Sequence, residues 1–348
     1  MLFKDAIVFT DLHFGEKQNL TAHNQDCIEY LKWVVATAKR KGIKTGIFLG
    51  DWHHSRRAIN VETLHYSVQG LDIITEYFDI IYFIPGNHDL FYRESRDVSS
   101  ISLVKSYDNI KLMSEMTEFK DNDGDVIFVP WLIEDEWKSL KGKKFKYVFG
   151  HFELPTFLLN AMIQMPDTGE LSSDDFTNCD YVFSGHFHKR QQKKNVIYIG
   201  NAFPHNFNDI DDKERGLMVL EWDNEPKFVN WKNAPTYRRW DINDLVNNPE
   251  EVIGKDKKIY AEITYPSSMS YAQASHIRDD LLANFDFRNI SLKKEKEEIN
   301  EEGEEIKVET VKSVDSVVLE QIKTIDSPSY DVQMLIDEYT SLSSYENK

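Results

Sequence analysis

An α/β fold carrying a small α/β appendage towards its C-terminal end is what this sequence predicts, on three observations. From Phe3 to about Trp240, short β-branched or aromatic runs alternate with amphipathic stretches of helical period. Five of those runs are each followed at once by a motif built from Gly, Asp, Asn and His. After Trp240 the composition turns polar, and a fresh strand-and-helix pair then begins.

The first run, AIVFT, leads into Asp11-Leu12-His13. Residues 22–41 have the period of a helix, with Ile28, Leu31, Val35 and Ala38 on one face and Gly42 as a stop. GIFL then precedes Gly50-Asp51-Trp52-His53-His54. A second helix is expected over 61–78, capped by Asn60, with Leu64, Val68, Leu71 and Ile74 as its apolar stripe. IIYFIP precedes Gly86-Asn87-His88-Asp89, YVF precedes Gly150-His151, and YVFS precedes Gly185-His186-Phe187-His188. Every motif thus sits where a strand ends and a loop begins, the position at which open α/β sheets place their ligand sites. VIYIG, LMVLEW and KFVNW read as strands of a second sheet.

In the appendage, residues 241–257 are polar and broken by Pro249, IYAEITY reads as a strand, and Tyr271 to Phe285 reads as a helix with Ile277, Leu281 and Phe285 aligned. The charge run KKEKEEINEEGEEIK, residues 293–307, has no apolar face and reads as a solvated loop or linker. Val332, Leu335, Ile336 and Tyr339 fall at helical spacing in a polar tail, as a helix that packs on its own domain or docks on a partner.

Composition narrows the function classes. With 348 residues, 41% of them hydrophobic and 13% aromatic, the chain is not disordered as a whole. Two cysteines, Cys27 and Cys179, supply neither a disulfide framework nor a C-x-x-C metal pair. No apolar run reaches membrane-spanning length and no leader precedes the first strand, so the expected compartment is the cytoplasm, bacterial or phage-infected. A formal net charge of −18 argues against nucleic acid at first. The distribution of charge argues for it, because HSRR (54–57), YRESR (92–96) and HKRQQKK (188–194) follow the motifs, with YRR at 237–239. Arg56, Arg57, Arg93, Lys189 and Arg190 are the candidate contacts to a polyanion.

Carboxylate, imidazole and amide ligands without thiolate suit hard or borderline divalent cations. The ligand count implies two ions. Asp11, His13, Asp51 and His188 form one set, and Asp51, Asn87, His151 and His186 the other, with Asp51 bridging through its two oxygens. Two ions about 3.5–4 Å apart share a water, lower its pKa and clamp the nonbridging phosphate oxygens, the bridging hydroxide being the attacking group. His88, next to Asn87, is within reach as a general acid for the departing oxygen, and Asp89 is placed to orient its ring. Asp-x-His alone is a weak signal and Gly-His-x-His is as often a surface loop, whereas five strand-end motifs in one order are hard to explain as polar turns.

At these residues the sequence resembles the calcineurin-like metallophosphoesterases, whose pattern is D-x-H, G-D-x-x-[DH], G-N-H-[DE], G-H and G-H-x-H. The likeness spans roughly residues 3–230 and fills every ligand position. Within that superfamily it is most similar to the nuclease subunit of SbcCD and Rad–Mre-type double-strand-break repair complexes, especially the short bacteriophage form. The features pointing there are His54 with Ser55, Arg56 and Arg57, and the stretch NVIYIGNAFPHNFNDIDDKERGLMVLEW, in which Tyr198, Gly200, Phe207 and Gly216 match the subfamily pattern. Asn201 and Ala202 stand where Ser-Pro is commoner, and Arg215 where Lys is usual.

The resemblance implies a two-sheet α/β/β/α sandwich over 1–240, a DNA-capping domain over 256–325, and a segment at 326–348 that binds the coiled-coil base of an SMC-like ATPase. It implies a homodimer, with residues 61–78 and 99–106 as the candidate interface. It also implies manganese, with magnesium, iron or zinc as other candidates, and a role for His54 in placing the DNA strand. The expected activity is 3′–5′ exonuclease on duplex DNA and endonuclease on single strands. A small-substrate phosphodiesterase of the same fold, acting on a cyclic nucleotide or dinucleotide, is the alternative; a noncatalytic scaffold is disfavoured by intact Asp11, Asn87, His88 and His186. An acidic chain of this kind is expected to bind DNA weakly when alone.

Overall fold

A computed structural model of the chain describes residues 1–158, 164–210, 212 and 214–295, all within one unit, Met1–Glu295. The rest of the acidic run from residue 296, the capping segment to 325 and the helix expected around Leu335 lie outside the described residues.

Two six-stranded mixed sheets stack face to face. The first runs β12-β11-β1-β2-β3-β4, with β1 (Asp5–Phe9), β2 (Thr45–Phe48), β3 (Ile80–Phe83) and β4 (Ile110–Leu112) parallel, and β11 (Gly216–Glu221) and β12 (Lys227–Asn230) added antiparallel. The second runs β5-β6-β7-β8-β10-β9. Here β6 (Val126–Val129), β7 (Tyr147–His151), β8 (Tyr181–Gly185) and β10 (Val196–Tyr198) are parallel, edged by antiparallel β5 (Thr117–Phe119) and β9 (Gln191–Lys193). This is the two-sheet sandwich that the resemblance implies. Of the three strands expected to share the second sheet, only β10 does. LMVLE pairs antiparallel with β1 and KFVN with LMVLE in turn, so both complete the first sheet; the second of these pairings is the short antiparallel step between consecutive strands.

The central strands read as unbroken apolar runs because both of their faces are covered. In β1, Ala6 and Val8 pack with Phe128, Phe149 and Phe183 between the sheets, while Ile7 and Phe9 meet the helical layer through Leu31, Val34 and Ile74. Beyond the second sheet, Val129, Val148 and Val182 pack on Phe152, Phe157 and Phe176. The helix Thr21–Lys41 ends at Gly42, whose φ of 71° closes the turn. The helix Val61–Thr75 starts where Asn60 accepts from the Glu62 N–H at 2.8 Å. Its buried face is Thr63, Ser67, Gly70, Leu71 and Ile74, so Leu64 and Val68, expected inside, are exposed at 40% and 37%. The stripe turns by one residue because Gly70 lets the helix close on Leu31, Phe14 and Trp52: a Cβ there would lie 2.8 Å from Leu31 Cδ1.

A third, all-parallel sheet joins β13 (Thr236–Asp241), β14 (Ile259–Tyr265) and β15 (Phe287–Lys294), with the helices Ile242–Asn247, Pro249–Ile253 and Tyr271–Asn284 in its crossovers. Ile277, Leu281 and Phe285 line its core as expected. Lys293 and Lys294, read from sequence as the start of a loop, instead end β15, where Lys293 pairs with Glu262 at 2.6 Å. Lys258 and Arg288 reach Asp26 at 3.0 and 3.3 Å and tie this sheet to the helix Thr21–Lys41.

Candidate metal centre

The motifs converge from the carboxyl ends of β1, β2 and β3 on one sheet and of β7 and β8 on the other. His13 Nε2 lies 3.7 Å from Asp11 Oδ1 and 3.6 Å from Asp51 Oδ2, while His188 Nε2 lies 3.2 Å from His13 Nε2 and 3.9 Å from Asp11 Oδ1. In the second set Asn87 Oδ1 is 3.0 Å from His151 Nε2 and 3.1 Å from His186 Nδ1, and Asp51 Oδ2 is 3.4 Å from His151 Nε2. All seven expected ligands therefore come together in two adjoining sets. Asp51 Oδ2 lies 3.6 Å from His13 Nε2 and 3.4 Å from His151 Nε2 and so stands between the sets, while its Oδ1 accepts from the His88 N–H at 2.8 Å.

The backbone is held in conformations that side chains disfavour. Asp11, His13, Asp51 and His186 have φ of 52°, 51°, 61° and 83°, each costing about 1–2 kcal/mol for an ordinary L-residue. Hydrogen bonds between the first two motifs hold this shape: Asp11 N–H to Gly50 O at 3.0 Å, and the N–H groups of Leu12 and His13 to Asp51 O at 3.1 Å. Asp89 completes the frame. Its Oδ2 accepts from the N–H of Asp51 and of Gly86, both at 2.9 Å, and its Oδ1 from Trp52 and His53 at 3.0 and 3.1 Å. The orienting role expected for Asp89 on the His88 ring gives way to this one, since all four contacts go to backbone. Burial and the charge of Asp51 raise its carboxyl to about 7, against the pull of the N–H groups of Gly86 and His53.

The electrostatics call for positive charge. Burial penalises a charged imidazole, yet Asp11 and Asp51 outweigh it at His13 and Asp51 outweighs it at His151, raising both to about 9. Burial, with the charge on His13, lowers His188 to about 4, so its ring is neutral and its lone pair free. His151 Nδ1 lies 2.6 Å from Leu49 O, which fixes the proton there and turns Nε2 to the site. Asn87 points its oxygen at two imidazole nitrogens; turned over, its nitrogen would face them and its oxygen would accept from Arg56 Nη2 at 3.0 Å. With the oxygen inward, carboxylate, amide and imidazole lone pairs converge, a donor set that a divalent cation satisfies.

Around these sets, His88 Nδ1 lies 2.6 Å from the His54 carbonyl oxygen and donates to it, leaving Nε2 for the site. Burial lowers the His88 ring, partly offset by Asp51. The His54 ring stacks on that of His88 at 5.4 Å, and burial brings it to about 4. Among the basic candidates, Arg56 is half-buried and would bond the Asn87 amide only if that amide were turned over, Arg57 and Arg93 are exposed and Lys189 is half-buried. Arg190 does not face outward as expected: it bonds Ile199 O at 3.2 Å and Asn230 Oδ1 at 2.8 Å and covers the Phe228 ring at 4.3 Å.

Three neighbours escaped the sequence reading. Glu153 Oε1 lies 3.6 Å from His186 Nε2, behind a ligand position. Its place two residues after His151 was the available signal. Glu16 and His205 pair behind the first set at 3.0 Å; neither belongs to a motif, and nothing in their spacing signals the contact.

The sequence profile described as calcineurin-like phosphoesterase matches residues 6–190. The chain belongs to that family. The calcineurin-like phosphoesterase described here is accordingly a metal-dependent hydrolase of phosphate esters, and the converging carboxylates and imidazoles are the groups present to hold divalent cations. It is 27% identical over 257 residues to Exonuclease subunit 1 of Enterobacteria phage T4, covering 70% of this chain and 74% of the phage protein. Among solved structures, a dimetal phosphatase from Danio rerio matches with 12% identity and a TM-score of 0.40, over 65% of this chain and 95% of that one. A phosphoesterase from E. coli, Yfce, matches with 12% identity and a TM-score of 0.32, over 63% and 89%. No helix among the described residues is long and apolar enough to cross a membrane.

Proposed function

We propose that the chain is a manganese-dependent DNA nuclease that works with an SMC-like ATPase in recombination and break repair. The observation that carries the reading is the pair of lone-pair clusters joined at Asp51 Oδ2. The likeness to an exonuclease subunit supports DNA as substrate and a partner chain as part of the assembly. Two divalent cations held by Asp11, His13, Asp51 and His188 and by Asp51, Asn87, His151 and His186 would supply Lewis-acid stabilisation of phosphoryl charge and an acidified water.

The chain's own residues do the rest. Asp89 and the interlocked loops keep the ligand atoms aligned before substrate arrives. His88, its Nδ1 proton fixed on the His54 carbonyl, presents Nε2 to the leaving oxygen and delivers a proton there when doubly protonated. An anionic phosphodiester beside the ring favours that charged form. Arg56 and the exposed Arg57 and Arg93 meet the phosphate backbone, and His54, stacked on His88, positions the scissile strand. Residues 256–325 form the DNA cap, and the tail at 326–348, near Leu335, contacts the ATPase. Val61, Leu64 and Val68, exposed along one helix, support that helix as the homodimer contact.

A small phosphodiester as substrate is the second reading. It is favoured by the cations that are spent internally: Arg190 on Ile199 and Asn230, Arg238 on Asp256 and Arg239 on Glu262. The deciding assay is an end-labelled duplex incubated with manganese, beside His88→Asn and bis-p-nitrophenyl phosphate. Manganese-dependent shortening that vanishes in the variant supports the nuclease. Hydrolysis of the small diester, with DNA untouched even after the ATPase is added, refutes it.

A further inference from the structure

We propose that His205 is an additional ligand of the first cation, held in place by Glu16; this rests on the dinuclear reading above. His205 lies beyond the residues matched by the family profile and outside all five motifs. Its side chain is fully buried, and apart from the Glu16 carboxylate 3.0 Å from Nδ1 the ring has no hydrogen-bond partner among the described residues, so Nε2 stands alone. A buried ring nitrogen left without a partner is costly, so Nε2 calls for one.

The surroundings say what that partner is. The ring stands edge-on to those of His13 and His188, with centroids 5.4 and 5.1 Å away. One ring nitrogen from each of the three lies within 4.8 Å of the others. Two nitrogens on opposite sides of one ion are about 4.2 Å apart, so a small inward turn brings all three onto a single cation. Glu16 Oε2 lies 3.0 Å from His205 Nδ1, which leaves Nε2 as the ligand atom. A carboxylate behind one imidazole nitrogen and a metal at the other is the arrangement that orients ligating histidines.

The scaffold is fixed for this purpose. The His205 N–H donates to Asp209 Oδ2 at 2.9 Å, and its carbonyl accepts from the Tyr237 hydroxyl at 2.6 Å. Glu16 sits at the head of a left-handed turn in which Lys17, Gln18 and Asn19 have φ of 53°, 58° and 63°. Such strain persists only where the surroundings enforce it. A plain carboxylate–imidazole pair is the competing account, and it leaves Nε2 idle.

With His205, the first ion would have three imidazoles among five protein ligands, while the second keeps four and stays more open to substrate. The two sites then differ in affinity. The test is X-ray absorption on the full chain loaded with one equivalent of Co2+, together with Mn2+ titration of the chelator-treated protein. Three imidazoles around the first equivalent, and a tighter Mn2+ site weakened about 10–100-fold in His205→Gln and to a lesser degree in Glu16→Gln, support the assignment. Two imidazoles, or a His205→Gln chain of unchanged melting temperature that binds both ions as the wild type does, overturn it while leaving the dinuclear centre intact. A wild-type chain that binds no ion overturns both.

Discussion

Replacing Asp89 with Asn separates a structural role from a catalytic one. In the wild type two carboxylate oxygens receive four buried N–H groups at 2.9–3.1 Å, from Asp51, Gly86, Trp52 and His53. Asparagine keeps one oxygen and turns an NH2 towards the other pair, so two buried donors face a donor. Two hydrogen bonds to a charged group are lost, at about 1.5–3 kcal/mol each. Relief from burial and from the charge of Asp51, which raise the carboxyl to about 7, offsets part of this. A net loss of about 2–3 kcal/mol remains, which lowers the melting temperature of a chain this size by roughly 3–4 °C. Because the disturbed pair is either Asp51 and Gly86 or Trp52 and His53, and both pairs frame the Asp51 loop, metal content falls as well. Calorimetry of chelator-treated protein and metal analysis after dialysis measure the two effects. A variant with wild-type stability and metal content, impaired only in turnover, would refute the argument and return Asp89 to the ring of His88.

His88→Asn should cut turnover on DNA by about 10²–10⁴-fold at unchanged metal content, and much less on bis-p-nitrophenyl phosphate, whose leaving group needs no proton; equal losses on both would exclude the general acid. The apo chain should lose stability as pH rises. His13 and His151 are raised to about 9 when folded, so their contribution is complete below the unfolded value near 6.5 and disappears towards 9. Metal displaces those protons, so Mn2+ affinity should climb over the same window; a pH-independent titration would contradict this. Gly86→Ala should destroy metal binding, because a Cβ there would overlap Asp51 Oδ1; a variant that retains both ions would show that the loop can shift.

The site was more legible than its framework. Metal-ligand chemistry needs particular residue types at strand ends, so Asp11, Asn87 and His186 stand out in sequence before any pairing is known. Which sheet receives LMVLEW depends on long-range pairing to β1, to which the apolar pattern is blind, since it looks the same in either sheet. The helix stripe was misread by one residue because Ser67 and Gly70 mark a close helix contact, and close contacts select small residues over apolar ones. Arg190 reads as a surface cation until its stacking on Phe228 is seen. Glu16 and His205 are 189 positions apart, and only the fold brings them behind His13.

A crystal grown with manganese and measured for anomalous scattering addresses the central claim directly. Two peaks about 3.5–4 Å apart, both beside Asp51 Oδ2, one among Asp11, His13 and His188 and the other among Asn87, His151 and His186, are the expected result. A single peak, or two that do not share Asp51, would contradict the dinuclear centre.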